Sequence, residues 1–479
     1  MRKKTPLLEK TPFAIDEEPM QGALTANAGL AAVSRVVRSL ELARACESHL
    51  DLKQRDRGYT PAQVLESLVL LNAAGGDCME DIKLLRRDAA MEKMLGYGVP
   101  SARAVGDFLA RFHDEDKLAE AREEAKRQER LAFVMEENSW LQGLQQVHRE
   151  LLGKLAELRE LPTTATIDQD ATIIESRKQQ ASYTYKGMKG YQPMVAAWAE
   201  ANLVVADEFR DGNVPAQLTP LQCAKQAFAA LPGEMEALYF RGDSACHEAG
   251  LINWLRNEER EDGPQGFIGF GVSARMTPEL GQALRGISEA GWTTFGHDGD
   301  GTVRQWAEVD FVPGERTEKK DLAPLRYVGL RLTKAQGELF ADGNEHHYHA
   351  VLTNRWDMDG GELFTWNRAK AGTIEHVHDE MKNGLAAGQL PCAKLGANAA
   401  WFRIACIAFN MLSVLRQAWP DESVHHAHPK RLRFLIFNTA GRFVRDRRKI
   451  SLRFAASKQW IRKLIRLFKA FPLVTRSTG

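Results

Sequence analysis

Glu375 and Lys382 are the residues from which a chemistry can first be read. Both lie in the stretch WNRAKAGTIEHVHDEMK, from Trp366 to Lys382. Read as a helix, it puts Glu375, His378 or Asp379, and Lys382 at i, i+3 or i+4, and i+7, so the carboxylate and the ammonium share one face two turns apart. The 1.5 Å rise per residue separates them by about 10 Å, which suits a divalent cation at one end and a phosphate at the other. Two further acids sit where strands are expected. TTATIDQDATI alternates as a strand and places Asp168 and Asp170 on one face. EALYFRGDS is an apolar run with Asp243 just past its last apolar residue. Carboxylates gathered at one sheet edge repel one another, and the usual relief is a metal. Two strand-end aspartates with a helical glutamate make an all-oxygen set suited to Mg²⁺ or Mn²⁺. Two such ions can activate a water or a 3′ hydroxyl and stabilise the leaving oxygen of a phosphodiester.

The elements that must position these residues follow from periodicity. Residues 1–24 are polar and Pro-containing, and read as an extended arm. From 25 to 160 apolar residues recur at three and four, so an all-α region is expected. Thr60 and Ser101 are its expected helix caps, with Pro61 in a first turn. Its last part, from Lys117 to Glu160, reads as one long charged helix ended by Leu161-Pro162 that connects the two parts and can pair with a partner copy, while the region as a whole would serve DNA contact, dimerisation or both. After Pro162 the period changes to two. GYQPMVAAWAE and LVVADEFRDGN form a hairpin about Ala201-Asn202, PLQCAKQAFAAL and HEAGLINWLRNEER read as helices, and GFIGFGV closes the series. The order β-β-β-α-β-α-β lets the first and fourth strands lie side by side, with their acids at one edge.

Composition narrows the class. The chain has 479 residues, enough for two to four domains, with 44% apolar and 27% charged residues, as in ordinary globular proteins. The start MRKKTPLLEKTPF has no apolar core before Pro12, so it does not read as a secretory signal. AAWFRIACIAFNML, interrupted by Arg403 and Asn410, is too short to span a bilayer. Six cysteines without metal-like spacing suggest reduced thiols in a cytoplasm, and no zinc site. The net charge of +1 hides an asymmetry: residues 430–479 hold fifteen Lys or Arg against Asp446 alone, and the rest of the chain is acidic. Basic and apolar residues interleave there, as on a folded surface that faces phosphates. The amphipathic WIRKLIRLFKAF also admits a membrane surface or a plain structural helix. His346, His347, His349, His425, His426 and His428 form clusters to which no role is assigned.

Taken together, Asp170 or Asp168, Asp243 and Glu375, with Lys382 after six further residues, resemble the DDE transposases of bacterial insertion sequences. Asp170-Ala171-Thr172 is similar to that group's D-x-T motif, FRGDS to its second motif, and Glu375 to Lys382 to the end of Y-x2-R-x3-E-x6-K. Arg368 stands where the tyrosine would be and Ala371 where the arginine would be. The resemblance implies an α/β fold, a ribonuclease-H-like mixed sheet with an inserted β-rich domain, preceded by an all-α N-terminal domain. The catalytic parts would be 161–271 and 356–420, the insertion 272–355 and the basic C-terminal region 421–479. It further implies Asp170, with Asp168 as the alternative, Asp243 and Glu375 as ligands of two Mg²⁺ or Mn²⁺ ions, and Lys382 on a phosphate. Arg368 or Lys370 is the candidate replacement for the arginine contact, and Trp366 the candidate to stack on a displaced base. Arg442, Arg445, Arg447, Arg448 and Lys449 are expected on backbone phosphates. The expected partners are double-stranded DNA, both transposon inverted ends and target, and a second copy of the chain, with no membrane. The expected activity is metal-dependent cleavage and strand transfer. A ribonuclease-H-like nuclease without strand transfer, or a DNA-binding protein that has lost its chemistry, is the alternative.

Overall fold

Thr60 accepts a hydrogen bond from the Gln63 amide at 3.3 Å while the Gln63 side chain accepts one from the Thr60 amide at 2.9 Å, a reciprocal cap that starts the helix Pro61–Ala74. The computed structural model describes residues 22–50, 58–311, 324–334, 339–446 and 449–473. Its N-terminal region is helical: α1 (Ala31–Ser39), α2 (Leu42–Leu50), α3 (Pro61–Ala74), α4 (Ala102–Ala110, capped by Ser101), α5 (Glu115–Arg127) and α6 (Ser139–Leu158). The single long helix expected over 117–160 is in fact two. Glu129 adopts φ +52°, residues 128–138 leave the helix, and Asn138 restarts it by accepting from the Leu141 amide at 2.9 Å. Asparagine before an apolar-periodic run was the available signal.

Nine strands make one mixed sheet. In chain order they are β1 (Thr164–Ala171), β2 (Met194–Trp198), β3 (Leu203–Glu208), β4 (Ala237–Gly242), β5 (Gly269–Ser273), β6 (Thr293–His297), β7 (Val303–Val309), β8 (Arg326–Thr333) and β9 (His346–Thr353). Their spatial order is β6-β7-β8-β9-β5-β4-β1-β2-β3. β1, β2 and β3 pair antiparallel, while β4 runs parallel to β1 and β5 parallel to β4. The first and fourth strands are therefore neighbours, as their acids required. The runs between 272 and 353 do form strands, but they continue the central sheet from β5 instead of folding as a separate sheet. Each is antiparallel to the next, and the last of them, β9, pairs with β5 and so joins the four to the central sheet.

Beyond the sheet lie α7 (Pro220–Ala229), α8 (Ala249–Arg256), α9 (Gly360–Arg368), α10 (Ile374–Gly384), α11 (Leu395–Ala418) and α12 (Lys458–Ala470). At 24 residues, α11 is longer than the apolar stretch suggested, and is long and apolar enough to cross a membrane. It is instead the core helix, buried along its length against α3, α1, α6 and β3. Its two interrupting polar residues explain the choice. Asn410 bonds both the amide and the carbonyl of Val204 in β3, at 2.8 and 2.7 Å, and Arg403 reaches Asp207 at 2.9 Å and Glu137 at 2.6 Å. Such groups are tolerated in a core when each finds a partner, and would be costly facing lipid. One continuous apolar cluster joins the N-terminal helices, the sheet, α11 and the apolar face of α12.

Candidate active site

Alternation along β1 puts Asp168 and Asp170 on one face and Gln169 on the other, and their surroundings then diverge. Asp168 is fully buried, and Arg241, its register neighbour on β4, clasps both its oxygens at 2.6 and 2.8 Å. The Thr373 hydroxyl donates to it as well, and Arg241 also donates to the Trp366 carbonyl at 2.7 Å. Asp168 thus ties β1 to β4 and to the start of α10, with three donors already on its two oxygens, which leaves Asp170 the less encumbered of the two candidate ligands. Asp170, one pleat nearer the strand end, is partly exposed, accepts from the Ala171 amide at 2.8 Å and faces the Lys370 ammonium at 3.5 Å.

Asp243 ends β4 and caps a short helical turn by accepting from the Ala245 amide at 3.0 Å. Burial raises its pKa and the Asp170 charge raises it further, while Lys370 and the turn amides oppose the rise. The two aspartates therefore repel one another, and Lys370 is the cation set against them.

The helix expected over 366–382 is interrupted. α9 ends at Arg368, a 3-10 turn covers Ala369–Gly372, and Thr373 starts α10. The Thr373 side chain caps nothing in α10 because its hydroxyl goes to Asp168 and the Lys370 carbonyl. Glu375 stands exposed in the first turn, where a carboxylate suits the helix dipole, and makes no side-chain hydrogen bond or ion pair among the described residues. Two turns on, Lys382 donates to the Thr172 hydroxyl and the Ile173 carbonyl, both at 2.9 Å, which fastens α10 to the end of β1 and gives the threonine of Asp170-Ala171-Thr172 its purpose. Burial lowers the Lys382 pKa, with Lys186 adding to the effect.

His378 lies between them on the same face. Its pKa is pushed down to about 3 by burial and then by Lys382 and Lys370, and its shielded Nε2 has no partner. The spacing of Glu375, His378 and Lys382 was visible in the sequence, but not the histidine's neutrality. The carboxylates of Asp170, Asp243 and Glu375 do not form one of the groups of three or more His, Cys, Asp or Glu ligands within 4.8 Å among the described residues. Asp170 and Asp243, two repelling aspartates beside a lysine, have the chemistry of divalent-ion ligands, and Glu375 keeps its carboxylate exposed on α10.

The remaining predicted residues fall into three groups. Trp366 is half-buried, with the Arg241 and Arg355 guanidiniums over its ring at 5.4 and 5.0 Å and Tyr239 against its edge. The ring is thus engaged in the packing and only partly open to a base. Arg368 is exposed, 3.9 Å from Asp298. Arg442, Arg445 and Lys449 are exposed on a ribbon formed by Gly441–Asp446 and Lys449–Phe454, where Arg442 faces Arg453 across the strands. Like charges in register are unfavourable unless an anion lies over them. Arg447 and Arg448 lie outside the described residues. Leu464 and Leu467 on the apolar face of α12 are buried in the core, which docks the helix on α1 and α11.

Among the described residues two ligand-like clusters lie off this face, Asp77 with Cys78 and Asp81, and His376 with Glu380 and His428. His376 and His428 approach Glu380 at 3.2 and 3.4 Å, but Arg416 already neutralises that buried carboxylate at 2.6 Å.

Residues 18–473 match the family model described as "Transposase DDE domain group 1". The chain belongs to that family of DDE transposases. Among solved structures it is similar to the piggyBac transposase in a synaptic complex with hairpin DNA, at 11% identity and a TM-score of 0.42, over 96% of this chain and 89% of that one. No curated protein matches it.

Proposed function

We propose that this chain cleaves the ends of its own element and joins the freed 3′ ends to target DNA, on a ribonuclease-H-like sheet. Strand order β3-β2-β1-β4-β5, with β2 antiparallel, supports that fold. Asp170, Asp243 and Glu375 are the carboxylates that would hold two Mg²⁺ or Mn²⁺ ions. When bound, such ions supply Lewis acidity to the attacking and leaving oxygens of a phosphodiester. The chain's own part is positioning. The Asp168–Arg241 clasp fixes β4 beside β1 and so sets Asp243 against Asp170. Thr373 and Lys382 fasten the two ends of α10, and the Lys382 ammonium keeps a third proton to offer a phosphate oxygen. Lys370 sets its ammonium 3.5 Å from Asp170.

The observation that carries this reading is the placing of Asp170 and Asp243 at the ends of the neighbouring parallel strands β1 and β4, with the Lys370 ammonium 3.5 Å from Asp170. It is tested by cleavage of a labelled duplex that carries the DNA flanking the gene, with Mg²⁺ or Mn²⁺. Nicking at a fixed point is expected, reduced about a thousandfold in Glu375→Gln, as befits several kcal/mol of charge stabilisation. Equal nicking by both proteins would end the three-carboxylate assignment. Joined products in a plasmid target separate strand transfer from simple hydrolysis.

A further inference from the structure

Between β1 and β2 the chain makes a small finger that the sequence reading passed over. Three short strands, Ile174–Glu175, Ser182–Tyr183 and Lys189–Tyr191, pair in the order first, third, second. Gly187, at φ +77°, turns its tip, and Asp211 anchors it by accepting from the Ser182 amide and hydroxyl at 2.9 and 2.7 Å. On this anchored base the tip exposes aromatic rings: Tyr183 is 65% and Tyr185 76% accessible. Lys189 and Lys186 sit 5.6 and 5.9 Å from those rings.

Finger and α10 enclose a groove of about 900 Å³ that begins at Ala171, next to Asp170. Arg177, Lys178, Lys186 and Lys382 line it, against Glu175 as its acid. Lys186 and Lys382 are near enough for each to oppose the other's charge. Gln192, 4% exposed, also lines the groove, and its Oε1 is buried without a partner. A cationic channel with an open aromatic ring at its rim matches one kind of ligand, a nucleic-acid strand whose bases are unpaired, because a duplex hides the faces on which a ring stacks.

We propose that this groove holds a single DNA strand where it leaves the carboxylates, with Tyr185 stacking on an unpaired base and Arg177, Lys178 and Lys186 on the phosphates. This rests on the reading that the chain processes DNA ends. It makes the finger the element that distinguishes a melted or frayed end from intact duplex.

The test uses the full chain without divalent ions and compares, by fluorescence anisotropy, a blunt duplex with the same duplex carrying a short oligothymidylate tail of either polarity. The wild type is expected to prefer one tailed duplex. Tyr185→Ala should lose about tenfold of that preference, the scale of one base–aromatic stack. Tyr185→Trp should keep it, and blunt-duplex affinity should be the same in all three. A wild type that binds blunt and tailed duplexes equally would overturn the groove and leave the DNA-processing reading standing. So would a preference that survives Tyr185→Ala. Binding to neither duplex would overturn both.

Discussion

Glu375 and Glu380 lie five residues apart on α10 and meet opposite surroundings. Glu380 is buried, bonded through both oxygens to Arg416 at 2.6 and 2.9 Å, and flanked by His376 and His428. Its pKa is lowered although burial opposes this, because His376 and Arg416 favour the charged form. Glu375 is exposed and has no side-chain hydrogen bond or ion pair among the described residues. The same contrast recurs on β1, where Asp168 is clasped by Arg241 and Asp170 faces Lys370 at 3.5 Å. In both pairs two acids of one type stand on one element. The difference teaches that an acid whose lone pairs are already used holds the scaffold, and the acid beside it, left under-bonded, is free for a ligand.

The largest effect that can break this comparison is on stability. Glu380→Gln leaves Arg416 with a weakened partner in the core, and Asp168→Asn does the same to Arg241. Each should lose about 3–5 kcal/mol of unfolding free energy, read from the urea midpoint. Glu375→Gln and Asp170→Asn should leave the midpoint nearly where it was. Equal losses on both sides would erase the distinction between scaffold and site.

A smaller effect separates the site from the basic ribbon. Arg442→Ala removes one phosphate contact and one like-charge neighbour of Arg453. Duplex affinity should weaken uniformly across sequences, and the salt dependence should become shallower by about one unit of slope. No change in slope would take the ribbon out of the DNA-facing surface.

The smallest concerns Asp243. Its pKa is raised in the folded chain, so below the ordinary carboxylate range both states are protonated and nothing is lost. As the pH rises through the folded pKa the native state bears an unfavourable charge. Asp243→Asn should therefore raise Tm at pH 7 and converge with the wild type in acid, in a thermal-shift series without added metal. A lowered Tm at neutral pH would show the charge to be well accommodated.

Much of this was legible in the sequence for definite reasons. Alternation gave the shared face of Asp168 and Asp170, and strand order gave the adjacency of β1 and β4. The E-x6-K spacing gave the Glu375–Lys382 face. What alternation could not show was which aspartate is clasped, because Arg241 reaches Asp168 only through the register of a parallel pair distant in sequence. The break at Gly372-Thr373 was missed because the helical period runs through it, and the turn is set by Thr373 bonding away from the helix it starts. The inserted strands were visible, but not their docking on β5, since an edge leaves no mark on periodicity. Trp366 looked like a free ring because its two arginines come from β4 and the segment after β9.

The most direct measurement of the account is a titration of the full chain with Mn²⁺, bound ion being counted by electron paramagnetic resonance, in the wild type and in Glu375→Gln, Asp170→Asn and Glu380→Gln. The account predicts two ions in the wild type, weakened binding in the first two variants and wild-type binding in the folded fraction of the third. Binding lost with Glu380→Gln and kept with Glu375→Gln would contradict it, and would place the metal on the opposite face of α10.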